Sequence, residues 1–162
     1  MAQETISTAI LIIAGIIATV ALVNAVYPSL LSAADSVGST SDGASDRVKT
    51  DIKITMSSQP NASTLYVWVK NTGSTELPAN RIALTDVYFG DPGMMARAET
   101  SPSTSFHWAY VLDDQDGDGK WGPGETLQVL ISDETGTHLT IGTHYVKLVL
   151  YNSVAVEDKV EI

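Results

Sequence analysis

The sequence predicts an N-terminal hydrophobic α-helix, transmembrane or filament core, followed by an all-β, immunoglobulin-like antiparallel sandwich. Three observations carry that expectation. Residues 6–31 contain no charged side chain. From residue 49 onward, apolar residues recur at every second position in short runs. Clusters of Gly, Pro and Asn separate those runs, and no second helical pattern follows.

The helix comes first. At ~1.5 Å of rise per residue, about 26 positions span ~39 Å. That exceeds the ~30 Å hydrocarbon core of a bilayer. Residues 1–5 lack Lys and Arg and the apolar run is long, both unlike a cleaved secretory signal. Two uses remain: a plain membrane anchor, or a helix packed against like helices in a membrane bundle or filament core. Ala14, Ala18, Ala21 and Ala25 alternate spacings of four and three, which places them on one face. Small residues there let backbones approach closely, so these four are the candidate packing residues. The first basic residue after the run is Arg47, too distant for a strong positive-inside signal. A short N-terminus inside and an exported head is the simpler topology.

Next comes SAADSVGSTSDGASD, over 32–46, rich in Ser, Gly and Asp. With Pro28 near the end of the apolar run, this composition predicts a flexible connection. A longer helix is the alternative, because the first Gly of this stretch is Gly38. The expected division is a hydrophobic helix over 1–34, a polar linker over 35–47 and a β-sandwich head over 48–162.

In the head, Ile52, Ile54 and Met56 alternate with Asp51, Lys53 and Thr55, the pattern of a half-buried strand. Leu65, Val67 and Val69 alternate with Tyr66, Trp68 and Lys70 before an NTGS turn. Further strands are expected over 82–89, 106–112, 126–131, 144–151 and 154–162, seven in all.

Charge narrows the function. A formal net charge of -10 and a pI near 4.4 argue against nucleic-acid binding and against docking on anionic lipid. With no cysteine, disulfides, thiolate metal sites and Cys nucleophiles are excluded. His107, His138 and His144 show no metal-binding spacing, and no nucleophile elbow or phosphate-binding loop occurs. The expectation is a protein that is not an enzyme. Trp68, Trp108 and Trp121 form either a binding patch or, more commonly, hairpin and core packing.

The most specific local pattern is DDQDGDGKWGPGE. Asp114, Asp116, Asp118, Gly119 and Glu125 fit the spacing of a calcium loop, with the Lys120 carbonyl as a further ligand. Three short carboxylates at alternate positions converge on one hard cation, and a Glu at the twelfth position binds with both oxygens. Both flanks read as strands, so the expected role is a structural calcium clamp and not a sensor. The alternatives are a metal-free acidic hairpin, or a Glu125 directed into the following strand. Asn61-Ala62-Ser63 is a glycosylation sequon in an expected turn.

Several stretches resemble the archaeal flagellin (archaellin) superfamily, which comprises archaellins and the archaellum accessory proteins F and G. They are Gln3-Glu4-Thr5-Ile6-Ser7, NAVYP at 24–28, VKNTGS at 69–74, DVYFG at 86–90, Trp108, WGPGETL at 121–127 and GTHY at 142–145. Their order along nearly the whole chain carries the resemblance, which is nearest to the protein G type. No basic leader ending in Gly precedes the helix, which favours an accessory protein over the main filament subunit. The resemblance implies a stator-like anchoring role in the cell envelope. The implied partners are other archaellum subunits, including protein F, and surface-layer protein. A filament subunit that self-associates through its helix is the alternative, and a calcium-dependent adhesion module on a lone tether is a third.

Overall fold

The computed structural model describes residues 2–162, in two compact units that meet between Ala44 and Ser45. In the first unit lies most of helix α1, Ala2–Lys49. Its Ile, Leu and Val side chains from Ile6 to Leu31 are exposed. Pro28 lies inside the helix and does not end it, although its ring removes the donor that the Asn24 carbonyl would otherwise receive. The stretch expected as a flexible linker, 35–47, is helical. Its hydroxyls are satisfied within the helix: Ser36 Oγ donates to the Ser32 carbonyl at 2.7 Å and Thr40 Oγ1 to the Ser36 carbonyl at 2.8 Å. Back-bonding of this kind lets Ser and Thr remain in a helix, and composition alone did not reveal it.

The second unit is a two-sheet antiparallel sandwich. One sheet has the order β1-β2-β8-β6, from β1 (Ile52–Asn61), β2 (Thr64–Asn71), β8 (Thr126–Asp133) and β6 (Phe106–Asp113). The other has the order β10-β9-β4-β5, from β10 (Ala155–Glu161), β9 (Thr143–Val149), β4 (Asp86–Asp91) and β5 (Met94–Ala98). A two-residue ribbon joins β3 (Leu77–Pro78) to β7 (Lys120–Trp121). The predicted alternation is what buries the core. Leu65, Val67 and Val69 of β2 and Leu127, Val129 and Ile131 of β8 face inward against Val87, Phe89, Val146 and Leu148 of the other sheet. Each such side chain contributes about 1.5–3 kcal/mol of transfer free energy.

Three corrections follow in the head. The strand expected over 82–89 begins only at Asp86, because Ala79–Ile82 forms the one-turn helix α2 behind Pro78. The Leu84 and Thr85 amides then close back on the Arg81 and Ile82 carbonyls. β5 and the two-residue β3 and β7 were not expected, although the Pro92-Gly93 turn before β5 is a hairpin signal. The strand expected over 144–151 stops at Val149, where the Leu150 amide donates to the Val154 carbonyl and Ser153 takes φ 65°.

The chain enters the sandwich through a tight junction. The Ser74 amide donates to the Lys49 carbonyl at 2.9 Å, and the Thr72 and Gly73 amides both donate to the Asp51 carbonyl. A Cβ on Gly73 would meet the Lys49 carbonyl and would lie 2.5 Å from the Asp51 amide. Only glycine fits that approach. Asn152 Nδ2 donates to Thr50 Oγ1 at 2.9 Å and fixes the same end of β9.

Candidate functional site

The acidic loop connects β6 to β8 at the end of the sandwich where the chain enters. Its turns form because Gly117 and Gly119 adopt φ of 75° and 74°, a region closed to most L-residues. Asp114 receives the Gly117 amide at 2.7 Å and the Gly119 amide at 2.9 Å. Asp116 receives the Asp118 amide at 3.1 Å, and Asp118 the Lys120 amide at 2.8 Å. The result is a convergence: one oxygen from each of Asp114, Asp116 and Asp118 lies within 4.8 Å of the others.

The charges respond to the crowding. The Gly119 amide, with help from Gly117, holds the Asp114 carboxyl below its ordinary value. For Asp116 the Asp118 amide favours the ionised form. Desolvation, the Asp118 charge, the bond to Asp114 and the Glu125 charge together outweigh it, so Asp116 is raised. Lys120 Nζ lies 3.2 Å from Asp118 and also binds Glu76, which neutralises one side of the cluster.

The other two predicted ligands are placed differently. Glu125 is buried and turned beneath the loop. Its Oε1 accepts the Gln115 amide at 2.9 Å and its Oε2 the Gly122 amide at 2.6 Å. It braces the loop from inside and stands outside the aspartate group. The Lys120 backbone lies in β7 opposite Pro78. Three aspartates are therefore brought together, and a hard cation of six to eight oxygens would complete its shell with water.

The helix face is the second candidate. Ala14, Ala18, Ala21 and Ala25 all lie within α1 and are exposed. Among the described residues no other part of the first unit covers them. The sequon residue Asn61 is exposed at the β1–β2 turn, its Oδ1 receiving the Ser63 amide at 3.0 Å and hydroxyl at 3.1 Å. The three tryptophans make no exposed patch: Trp108 and Trp121 are buried core residues, and Trp68 pairs with Tyr66 on the outer face of β2.

Sequence reasoning missed the buried polar groups. Asp133 ends β8 fully buried and gathers the amides of Thr135, Gly136, His138 and Leu139 together with the Thr135 hydroxyl. Burial alone would push its carboxyl up. The His138 amide, the Thr135 hydroxyl and the Leu139 and Thr135 amides overcome it and hold it down at about 2. His144 is buried at the start of β9, Nδ1 3.0 Å from Asp91 and Nε2 2.8 Å from the Thr140 carbonyl. Asn71 donates to the Thr75 and Trp121 carbonyls, both at 2.9 Å. These groups hold loops in place, and the one available signal was Asp133 followed by the Glu-Thr-Gly turn.

Comparisons with known proteins place the chain. The sequence matches the archaeal-type flagellin family over residues 2–157. A protein of Archaeoglobus fulgidus, described only as uncharacterized, is 33% identical over 168 residues, covering 98% of each chain. The archaellum periplasmic stator protein FlaG of Sulfolobus acidocaldarius shares the fold at a TM-score of 0.57 and 17% identity, over 68% of this chain and 99% of that one. The FlaF and FlaG stator complex of the same organism gives 0.53 at 16% identity, over 67% and 87%. The archaeal flagellum of Methanospirillum hungatei gives 0.68 at 13% identity, over 95% and 90%. At these identities the structural likeness is one of fold.

Proposed function

The chain belongs to the archaeal-type flagellin family, and on that premise we propose that it is a structural, non-enzymatic component of the archaellum, held in the cell envelope as a stator-like anchor. The observation that carries this reading is the pairing of an exposed apolar helix, free of charge over residues 6–31, with a rigid sandwich head. Such a helix demands lipid or other helices as its surroundings. Transmitting or resisting torque demands a head that does not deform, and two packed sheets supply it. The helix enters the membrane, the head lies outside the cytoplasm, and the partners are other archaellum subunits, with a protein of the F type and surface-layer protein among them.

A second reading is favoured by one observation. The fold match to the Methanospirillum filament extends over 95% of this chain, so it takes in the helix as well as the head. In that reading the chain is a filament subunit, with helices bundled inside and heads outside. Electron microscopy of protein purified from its host separates the two. Membrane-retained oligomers support the anchor, and long helical polymers overturn it in favour of the filament.

Two smaller assignments accompany the proposal. Asp114, Asp116 and Asp118 bind calcium weakly and clamp the β6–β8 loop, in the manner of extracellular modules with dissociation constants of about 10⁻⁴–10⁻³ M. Calorimetric titration of the whole protein is expected to show one site that Asp116→Asn removes, and no heat at millimolar calcium would eliminate it. Asn61 carries a glycan when the head is exported into a glycosylating compartment. Intact-mass measurement of host protein is expected to show an added mass that Asn61→Gln abolishes, and an unmodified wild-type mass would contradict it.

A further inference from the structure

Protein sheets protect their borders with charge, proline, bulges or short length. Three of the four sandwich borders here do so. β1 contains Pro60 and two register shifts. β10 bears Glu157, Asp158, Lys159 and Glu161. β5 is only five residues long and holds Arg97. β6 is the least protected: it runs as FHWAYVLD, without Pro, Lys or Arg, carries its one charged residue, Asp113, at its last position, and stays in register with β8 throughout.

The first half of that border is closed. The Glu99 amide donates to the Phe106 carbonyl at 3.1 Å, and the Trp108 amide to the Glu99 carbonyl at 2.8 Å. Those two bonds fix the parity of the strand, so even-numbered residues turn their backbone groups away from β8. The amides and carbonyls of Tyr110 and Leu112 face the same border, where they have no hydrogen-bond partner among the described residues. Between them Val111 is 64% exposed on the outer face.

We infer that this border pairs with the same border of a second copy, antiparallel about Val111. In that register Tyr110 opposes Leu112 of the second copy, twice by symmetry, and every unpaired donor meets an unpaired acceptor. Val111 opposes itself at a non-hydrogen-bonded position, where facing side chains are about 4.5–5.5 Å apart and exclude water from each other. Asp113 opposes Ala109, and His107 of the second copy is its diagonal neighbour, so no two carboxylates face each other. Glu99 already occupies Trp108, which limits the new pairing to residues 109–113. Copies whose apolar helices share one membrane or one bundle hold their heads at high effective concentration, which favours so short a ribbon. Head pairing is independent of whether those helices sit in lipid or in a filament.

The natural chain has no cysteine, which makes the test direct. Full-length Val111→Cys in host membranes, treated with a mild oxidant, is expected to form disulfide-linked dimers at least about tenfold faster than Met56→Cys on β1, as neighbours held at high local concentration do. A mixture of Ala109→Cys and Asp113→Cys chains is expected to cross-link as a heterodimer, whereas neither alone does so above the Met56→Cys rate. Equal rates for Val111→Cys and Met56→Cys, a failed mixture, or capture of a polypeptide of different mass would each overturn the pairing.

Discussion

Replacing Asp133 with alanine is expected to destabilise the head by about 3 kcal/mol, because several buried donors lose their acceptor at once. For a domain of this size the loss lowers the unfolding midpoint by roughly 10–15 °C. Asp133 is fully buried, and its two oxygens receive four amides and one hydroxyl. Asp133→Asn keeps an acceptor but loses the charge. Its folded carboxyl is lowered from 3.8 to about 2, a depression worth about 2 kcal/mol. The sign follows from the direction: a depressed carboxylate stabilises above its unfolded value, and that contribution disappears as pH falls through the folded one. Wild-type stability therefore falls between about pH 4 and pH 2 from this group, while Asp133→Asn lacks that component. Thermal melts followed by near-ultraviolet circular dichroism across this range check both statements, and identical pH profiles would contradict them.

The second large effect concerns assembly. Ala18→Leu combined with Ala21→Leu is expected to abolish the oligomers or polymers formed through α1 and leave the head folded. Both positions are exposed on the helix, so the change does not disturb any core within the chain. Two added isobutyl groups hold neighbouring helices apart on the face where small residues permit contact. Assembly beyond a head-paired dimer that persists in this variant, read by sedimentation of the detergent-extracted protein beside wild type, would mean that the alanine face does not join the copies and would favour the adhesion reading.

Sequence showed the parts of this molecule that depend on periodicity. The apolar run from Ile6 to Leu31 and the alternation of Leu65, Val67 and Val69 reflect solvent contact directly, and each produced the expected element. The acidic spacing at Asp114, Asp116 and Asp118 also brought its oxygens together, because a short turn leaves little freedom. Glu125 shows where such reading stops. Gln115 and Gly122 present amides that capture it, and no residue spacing reveals those contacts. Asp133 and its loop are hidden for the same reason, since its partners are backbone amides. The helix through 35–47 was obscured because Ser, Gly and Asp occur in both linkers and polar helices.

Deleting the gene in its host and scoring swimming beside filament presence tests the central claim most directly. An envelope anchor predicts cells that keep their filaments and lose movement. Cells that lose the filament itself, or that swim as before, would contradict it.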